Sequence, residues 1–168
     1  KFFATAFRND VIKEEIEKLL NERDGLVLGI CNGFQMLVEA RLLPGAMKRN
    51  ENVHFISQFH HLKVVNNDNT FLKKCSIGEL LNIPIAHGEG SYYIDDAGLK
   101  ELYANKQVLL TYCDEKGNLK NPNGSVDSIA GICNKEKNVF GLMPHPERAI
   151  EKILGSDDGV KMLEGFIN

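Results

Sequence analysis

Apolar and polar positions along the chain alternate between two kinds of pattern. Ile12, Ile16, Leu19 and Leu20 recur at i, i+4, i+7 and i+8, with Lys13, Glu14, Glu17 and Lys18 between them. That spacing predicts a helix with one apolar stripe, capped by Asn9 or Asp10 and ending near Asp24 and Gly25. Leu26-Val27-Leu28-Gly29-Ile30 follows without alternation, as expected for a strand covered on both faces in a parallel sheet. Phe34, Leu37 and Val38 return to helical spacing, and Leu43-Pro44-Gly45 stops that helix. Helix, buried strand and helix in succession predict an α/β fold.

Further on, "HFISQFHHLKVV" reads as a strand, "NNDN" as a turn, and "IPIAHGEGSYYID" as a strand broken by two glycines. Asp95 or Asp96 opens a helix carrying Leu99, Leu102 and Tyr103, after which "QVLLTYC", "IAGICN" and "VFGLMPH" extend the sheet. Ser156 or Asp157 caps a last helix that packs through Val160, Leu163, Phe166 and Ile167. No repeat, linker or low-complexity stretch interrupts the pattern.

Composition narrows the chemistry. The 168 residues, 43% hydrophobic, suit one domain with a sizeable core. A formal net charge of −3 leaves no basic surface for a polyanion, so a small soluble substrate is expected rather than nucleic acid. No apolar run reaches the roughly 18 residues of a membrane helix, so no membrane is expected as a partner either. The four cysteines, Cys31, Cys75, Cys113 and Cys133, form no C-x-x-C pair, which reads as a reduced, cytoplasmic protein.

Cys31 stands apart from the other three. Gly29-x-Cys31-x-Gly33 lies where the apolar strand meets the helix. This is the spacing of a nucleophile elbow, whose sharp turn tolerates no bulky neighbours and lifts the central side chain clear of the sheet. A thiol at a helix N-terminus meets unpaired N–H groups and the positive dipole end, which favour thiolate. The same turn aims the Asn32 N–H at an oxyanion. Cys75, Cys113 and Cys133 read instead as small buried apolar side chains.

A nucleophilic cysteine needs a base in hydrogen-bond reach and a group that orients the base. "GLMPHPERA" offers both. Pro144 and Pro146 push His145 toward extended conformations, in which Glu147, two residues on, points the same way. Taken without Cys31, His145 is a turn residue. His87 reads as a ligand or a satisfied surface histidine, and His54, His60 and His61 lack partners at metal-site spacing, so no metal is expected. "NPNGS" fits either a phosphate-binding turn or a plain one.

"GICNGFQ" and "MPHPERA" together resemble the catalytic signatures of class I (triad-type) glutamine amidotransferases. "LLPGAMKRNENVHF", "IPIAHGEGSYY", "NPNGSVDSIAGI" and "GLMPHPERA" resemble one branch, the glutaminase of phosphoribosylformylglycinamidine synthase in purine biosynthesis. The resemblance covers nearly the whole chain. It implies a flavodoxin-like class I glutaminase domain, its mostly parallel central sheet flanked by helices. It also implies Cys31 as nucleophile, His145 as general base and acid, and Glu147 as the carboxylate that orients His145. Gln35 would shape the substrate pocket, and Gly88 and Glu89 would contact the substrate, L-glutamine. No cofactor is implied in this domain. ATP and magnesium would serve a partner synthetase, as separate subunit or fused domain, that uses the ammonia to convert formylglycinamide ribonucleotide to the amidine.

One departure qualifies the resemblance. In the family a glycine-rich loop before the first helix supplies the second oxyanion N–H, and core strands precede that loop; the sequence instead begins at Lys1 with "KFFATAFRND". Residues 1–168 are thus expected to be a single amidotransferase domain, incomplete at its N-terminus, that alone hydrolyses glutamine poorly. Within a longer molecule, Lys1 is expected near the active-site face of Cys31. Two other readings remain open at this point. The triad could serve a γ-glutamyl hydrolase or cysteine peptidase, or the chain could be a catalytically silent docking domain.

Overall fold

The computed structural model describes residues 10–167. Asn9 as a helix cap and the placement of Lys1 lie outside them. Helix α1 (Asp10–Glu22) leads to strand β1 (Val27–Ile30) and helix α2 (Asn32–Glu39). Strands β2 (Ala46–Lys48), β3 (Ile56–Val64), β4 (Leu80–His87) and β5 (Ser91–Tyr93) follow, then helix α3 (Asp96–Ala104). Strands β6 (Val108–Cys113), β7 (Ile129–Cys133) and β8 (Val139–Leu142) precede helix α4 (Asp158–Leu163). The glycine-broken segment is two strands in two sheets: β5 pairs with β2, whereas β4 ends the main sheet.

Among the described residues that main sheet has six strands in the order β1-β8-β7-β6-β3-β4. The α/β architecture agrees with expectation, but the sheet is not mostly parallel here. Only β1 and β8 run parallel, and the other four pairings are antiparallel. The unbroken apolar runs explain the difference. Val139 and Ile132 pack on one face with α2, while Phe140, Ala130 and Cys133 pack on the other with Phe71 and Met162. Covering both faces makes a strand apolar throughout, whatever its direction. Direction follows from the connections instead, since antiparallel neighbours need only a short turn and parallel ones a crossover.

The helices follow their caps and stripes with two corrections. The Asp95 side chain accepts from the Gly98 N–H at 2.8 Å and starts α3. Ser156, not Asp157, bonds the first N–H of α4, at 3.1 Å. Phe166 stacks with Phe71, whereas Ile167 is exposed and Met162 is the fully buried apolar side chain of that helix. In α1, Ile16, Leu19 and Leu20 are partly buried, while Val11 and Ile12 remain exposed.

The parallel pair positions the site. Register Val27↔Val139 to Ile30↔Leu142 is extended by the Cys31 N–H donating to Leu142 O at 2.8 Å. Cys31 therefore leaves the sheet beside the C-terminal end of β8, next to Met143, Pro144 and His145. Ligands of α/β sheets gather at such carboxyl ends.

Candidate active site at the strand-to-helix turn

Cys31 adopts φ 52°, ψ −105°, which a residue with a Cβ occupies only under constraint. The constraint is β1 on one side and α2 on the other. A Cβ on Gly29 would strike Leu37 and the Gly33 backbone, so glycine is required there by crowding. Gly33 differs: a Cβ would meet nothing within 4 Å among the described residues, so crowding does not account for it.

The thiol is partly buried and donates to Ala86 O at 3.6 Å. Burial pushes its pKa up, against the Asn32 N–H and the Arg148 guanidinium, which favour thiolate; Glu147 adds to the rise. The expected helix-end stabilisation thus operates through Asn32, but desolvation outweighs it. Burial raises the other three thiols as well, Cys75 and Cys133 to about 11, and all three are buried.

His145 is held from two directions. Its N–H donates to Pro84 O at 2.8 Å, and its Nδ1 lies 2.6 Å from Glu147 Oε1. Glu147 is not in an extended segment, as residue alternation required; it sits in the 3₁₀ turn Pro146–Arg148, whose N-cap is His145. The turn, with proline at its first position, folds the carboxylate back onto the ring. His145 Nε2 is buried with no hydrogen-bond partner among the described residues. A buried polar atom left free is costly unless chemistry uses it. With Nδ1–H committed to a carboxylate, Nε2 is the basic nitrogen, and it is free to take a proton. Catalytic hydrogen bonds are often incomplete before substrate binds.

Strand β4 joins the two halves. Pro84 O and Ala86 O, two residues apart, lie on the edge of β4 that no strand pairs with among the described residues, and they bond His145 and Cys31 respectively. A proline, lacking N–H, belongs on such an edge. Neither carbonyl was recognisable in the sequence, because backbone acceptors carry no side-chain signature.

Gln35 Nε2 donates to Glu89 O at 2.6 Å, tying α2 to the loop after β4. Asn32, Gln35 and Glu89, with Met36 and Met47, line a cavity of about 360 Å³. Gly88 lies outside that lining, facing Phe55. His87 is neither an evident ligand nor a surface histidine: it is buried, and bonded to Asn50 and Asn123. "NPNGS" is more than a plain turn, since Asn123 and Ser125 reach Gly90 O. His60 pairs with Lys120 O.

Comparison with known proteins gives the family. The chain is 75% identical over 143 residues to the phosphoribosylformylglycinamidine synthase subunit PurQ of Sulfurimonas denitrificans, a match covering 85% of the chain and 64% of that relative. With the same-named subunit of Helicobacter hepaticus the identity is 60% over 144 residues, or 86% of the chain and 62% of the relative. The chain thus spans less than two thirds of the length of these relatives. Among solved structures, PurLQS from Thermotoga maritima superposes with a TM-score of 0.82 at 42% identity, over 98% of this chain and 70% of that one. A glutamine amidotransferase structure from the same organism, 19% identical with a TM-score of 0.55, shares the fold. Residues 1–159 match the family model for the CobB/CobQ-like glutamine amidotransferase domain, and with the elbow cysteine, the paired histidine and these relatives, the chain belongs to that family.

Proposed function

We propose that this chain carries the glutaminase site of a phosphoribosylformylglycinamidine synthase, with Cys31, His145 and Glu147 as its triad. The reading is carried by one observation: a strained elbow cysteine beside a carboxylate-held histidine, in a chain 75% identical to a protein named PurQ. Cys31 Sγ attacks the side-chain carboxamide carbon of L-glutamine and passes its proton to His145 Nε2. The Asn32 N–H faces the oxyanion, and His145 returns the proton to the nitrogen as the C–N bond breaks. Ammonia leaves a glutamyl thioester. His145 then takes a proton from water as it attacks the thioester carbonyl, the C–S bond breaks, His145 returns that proton to Cys31 Sγ, and glutamate departs. Gln35 and Glu89, which line the cavity, hold the substrate, and Gly88 shapes the loop that carries Glu89.

The ammonia passes to a synthetase, where ATP and magnesium serve amidine formation. No cofactor or metal is assigned to this domain. Among the described residues no helix is long and apolar enough to cross a membrane; with four free cysteines this supports a cytoplasmic site of action.

The test is glutamate release from glutamine by the native polypeptide that carries this chain, with its synthetase, with Cys31→Ala beside it. Release should be abolished by the substitution, and a glutamyl adduct should appear on Cys31 by mass spectrometry. Turnover that survives Cys31→Ala would refute the assignment. Release of an amine or peptide in preference to ammonia would instead favour the hydrolase alternative.

A further inference from the structure

Four polar side chains, Asn50, His87, Asn123 and Ser125, lie beneath the loop of residues 88–90, each no more than 2% exposed. None belongs to the triad or lines the cavity. Burying four polar groups is unfavourable unless their bonding is complete. Here it is directed at one target. Asn50 N donates to Gly88 O at 3.0 Å, and Asn50 Oδ1 accepts from the Gly90 N–H at 3.0 Å. Asn123 Nδ2 donates to Gly90 O at 2.8 Å, while Asn50 Nδ2 holds His87 O at 2.8 Å. With Gln35 on Glu89 O, each residue of the loop is tied by its backbone.

The bonding fixes the hydrogen on one ring nitrogen of His87. Asn50 Oδ1 can only accept, and it faces His87 Nδ1 at 3.1 Å, so Nδ1 carries the hydrogen. Ser125 N–H and Oγ both approach Asn123 Oδ1, at 3.1 and 2.8 Å, so the Asn123 amide is oriented with Nδ2 toward Gly90 and His87. His87 Nε2 then faces the Asn123 Nδ2 amide at 3.5 Å, which Gly90 O at 2.8 Å and Tyr112 Oη at 3.4 Å also share as a donor. A second proton on the ring would set N–H against N–H₂. Burial and the neighbouring His145 act in the same sense, pushing the His87 pKa down to about 4. A Cβ on Gly90 would collide with the His87 ring, so the glycine permits the ring to support the loop from directly below.

We infer that Asn50, His87, Asn123 and Ser125 form a positioning cage that sets the shape of the glutamine-binding loop, with His87 serving as a neutral imidazole and not as an acid, base or ligand. The inference rests on the glutaminase reading, in which Glu89, carried by this loop, touches substrate. A cage acting through the loop governs an interaction that substrate and transition state share, so its loss raises KM more than it lowers kcat.

The experiment compares wild type, His87→Ala, His87→Asn and Asn123→Ala in the native polypeptide with its synthetase. KM for glutamine should rise about ten-fold in His87→Ala and Asn123→Ala, with kcat within about three-fold. His87→Asn, which can place an amide N–H near the position of Nδ1, should recover part of that loss. Alkylation of Cys31 by iodoacetamide, which does not use the loop, should stay at the wild-type rate. Hydrogen exchange at the Gly90 amide should accelerate in His87→Ala. Unchanged KM and unchanged Gly90 exchange would overturn the cage, and so would a fall in kcat with KM intact, since that marks a proton-transfer role. Should His87→Ala not fold, Ser125→Ala, which removes one hydroxyl, carries the same measurements. If wild type releases no glutamate, the glutaminase reading fails, and Gly90 exchange alone then decides whether the cage exists.

Discussion

At the scale of single residues, Cys31 is distinguished by access and strain more than by acidity. Its thiol is partly exposed while Cys75, Cys113 and Cys133 are buried. A glutamine-like electrophile such as a diazo-ketone analogue is expected to label Cys31 first under native conditions, read by peptide mass spectrometry; labelling of a buried cysteine ahead of it would contradict the assignment. Because burial raises the Cys31 pKa in the substrate-free state, its alkylation rate should still be climbing in the alkaline range. A plateau near neutrality would mean that the thiolate is already stable at rest. His145 and Glu147 share one hydrogen bond, so they should behave as a unit. His145→Ala should be the more damaging, Glu147→Gln the less, and the double variant should fall well short of additivity in log kcat/KM. Additive losses would show independent roles. Cys31 and His145 were legible as residues, from flanking glycines and prolines. Asn50 and His87 were not identified as a pair, because they meet across 37 positions through an amide–imidazole bond that no spacing rule encodes.

At the scale of elements, the strand β1, the turn and helix α2 form one device, and its two glycines are not equivalent. Gly29→Ala places a methyl group against Leu37 and the Gly33 backbone; overpacking of this kind costs about 1–3 kcal/mol. Gly33→Ala meets open space inside a helix, where alanine is favoured by about 1 kcal/mol over glycine. Denaturant midpoints should therefore fall for the first and hold or rise for the second. Equal losses would mean that the packing at Gly29 has been misjudged. The elbow was readable as a motif, but the motif treats both glycines alike. The difference depends on what packs above each, which only the placement of α2 decides. The apolar runs of β6, β7 and β8 correctly predicted buried strands. They carried no information on direction, since burial on two faces erases the alternation that a half-exposed antiparallel strand shows.

For the whole molecule, the buried imidazoles imply an acid limit to stability. His87 has its pKa lowered to about 4 from an ordinary 6.5, and burial lowers His60 as well. Above pH 6.5 both folded and unfolded forms hold His87 neutral. As the pH falls below that value the unfolded chain takes up a proton and the folded one does not, so stability drops until about pH 4. A depression of this size corresponds to roughly 3 kcal/mol for His87. Urea midpoints measured between pH 7 and 4.5 should decline more steeply in wild type than in His87→Asn. Parallel declines would show that His87 is not buried neutral.

What the sequence determined by itself is chiefly local. It placed the helices and the longer strands, though not β2 or the division between β4 and β5, because amphipathic period and capping act within a few residues. It singled out Cys31, His145 and Glu147, because an elbow and a Pro-flanked histidine need particular neighbours. The tertiary structure decided what depends on distant pairing. Parallel register between β1 and β8 puts Cys31 beside residues more than a hundred positions away. The edge of β4 that no strand pairs with among the described residues offers two carbonyls to the site, and four buried polar side chains converge under one loop. These arrangements follow from strand order, which local propensities do not encode, since a backbone hydrogen bond has the same chemistry whichever segment supplies it.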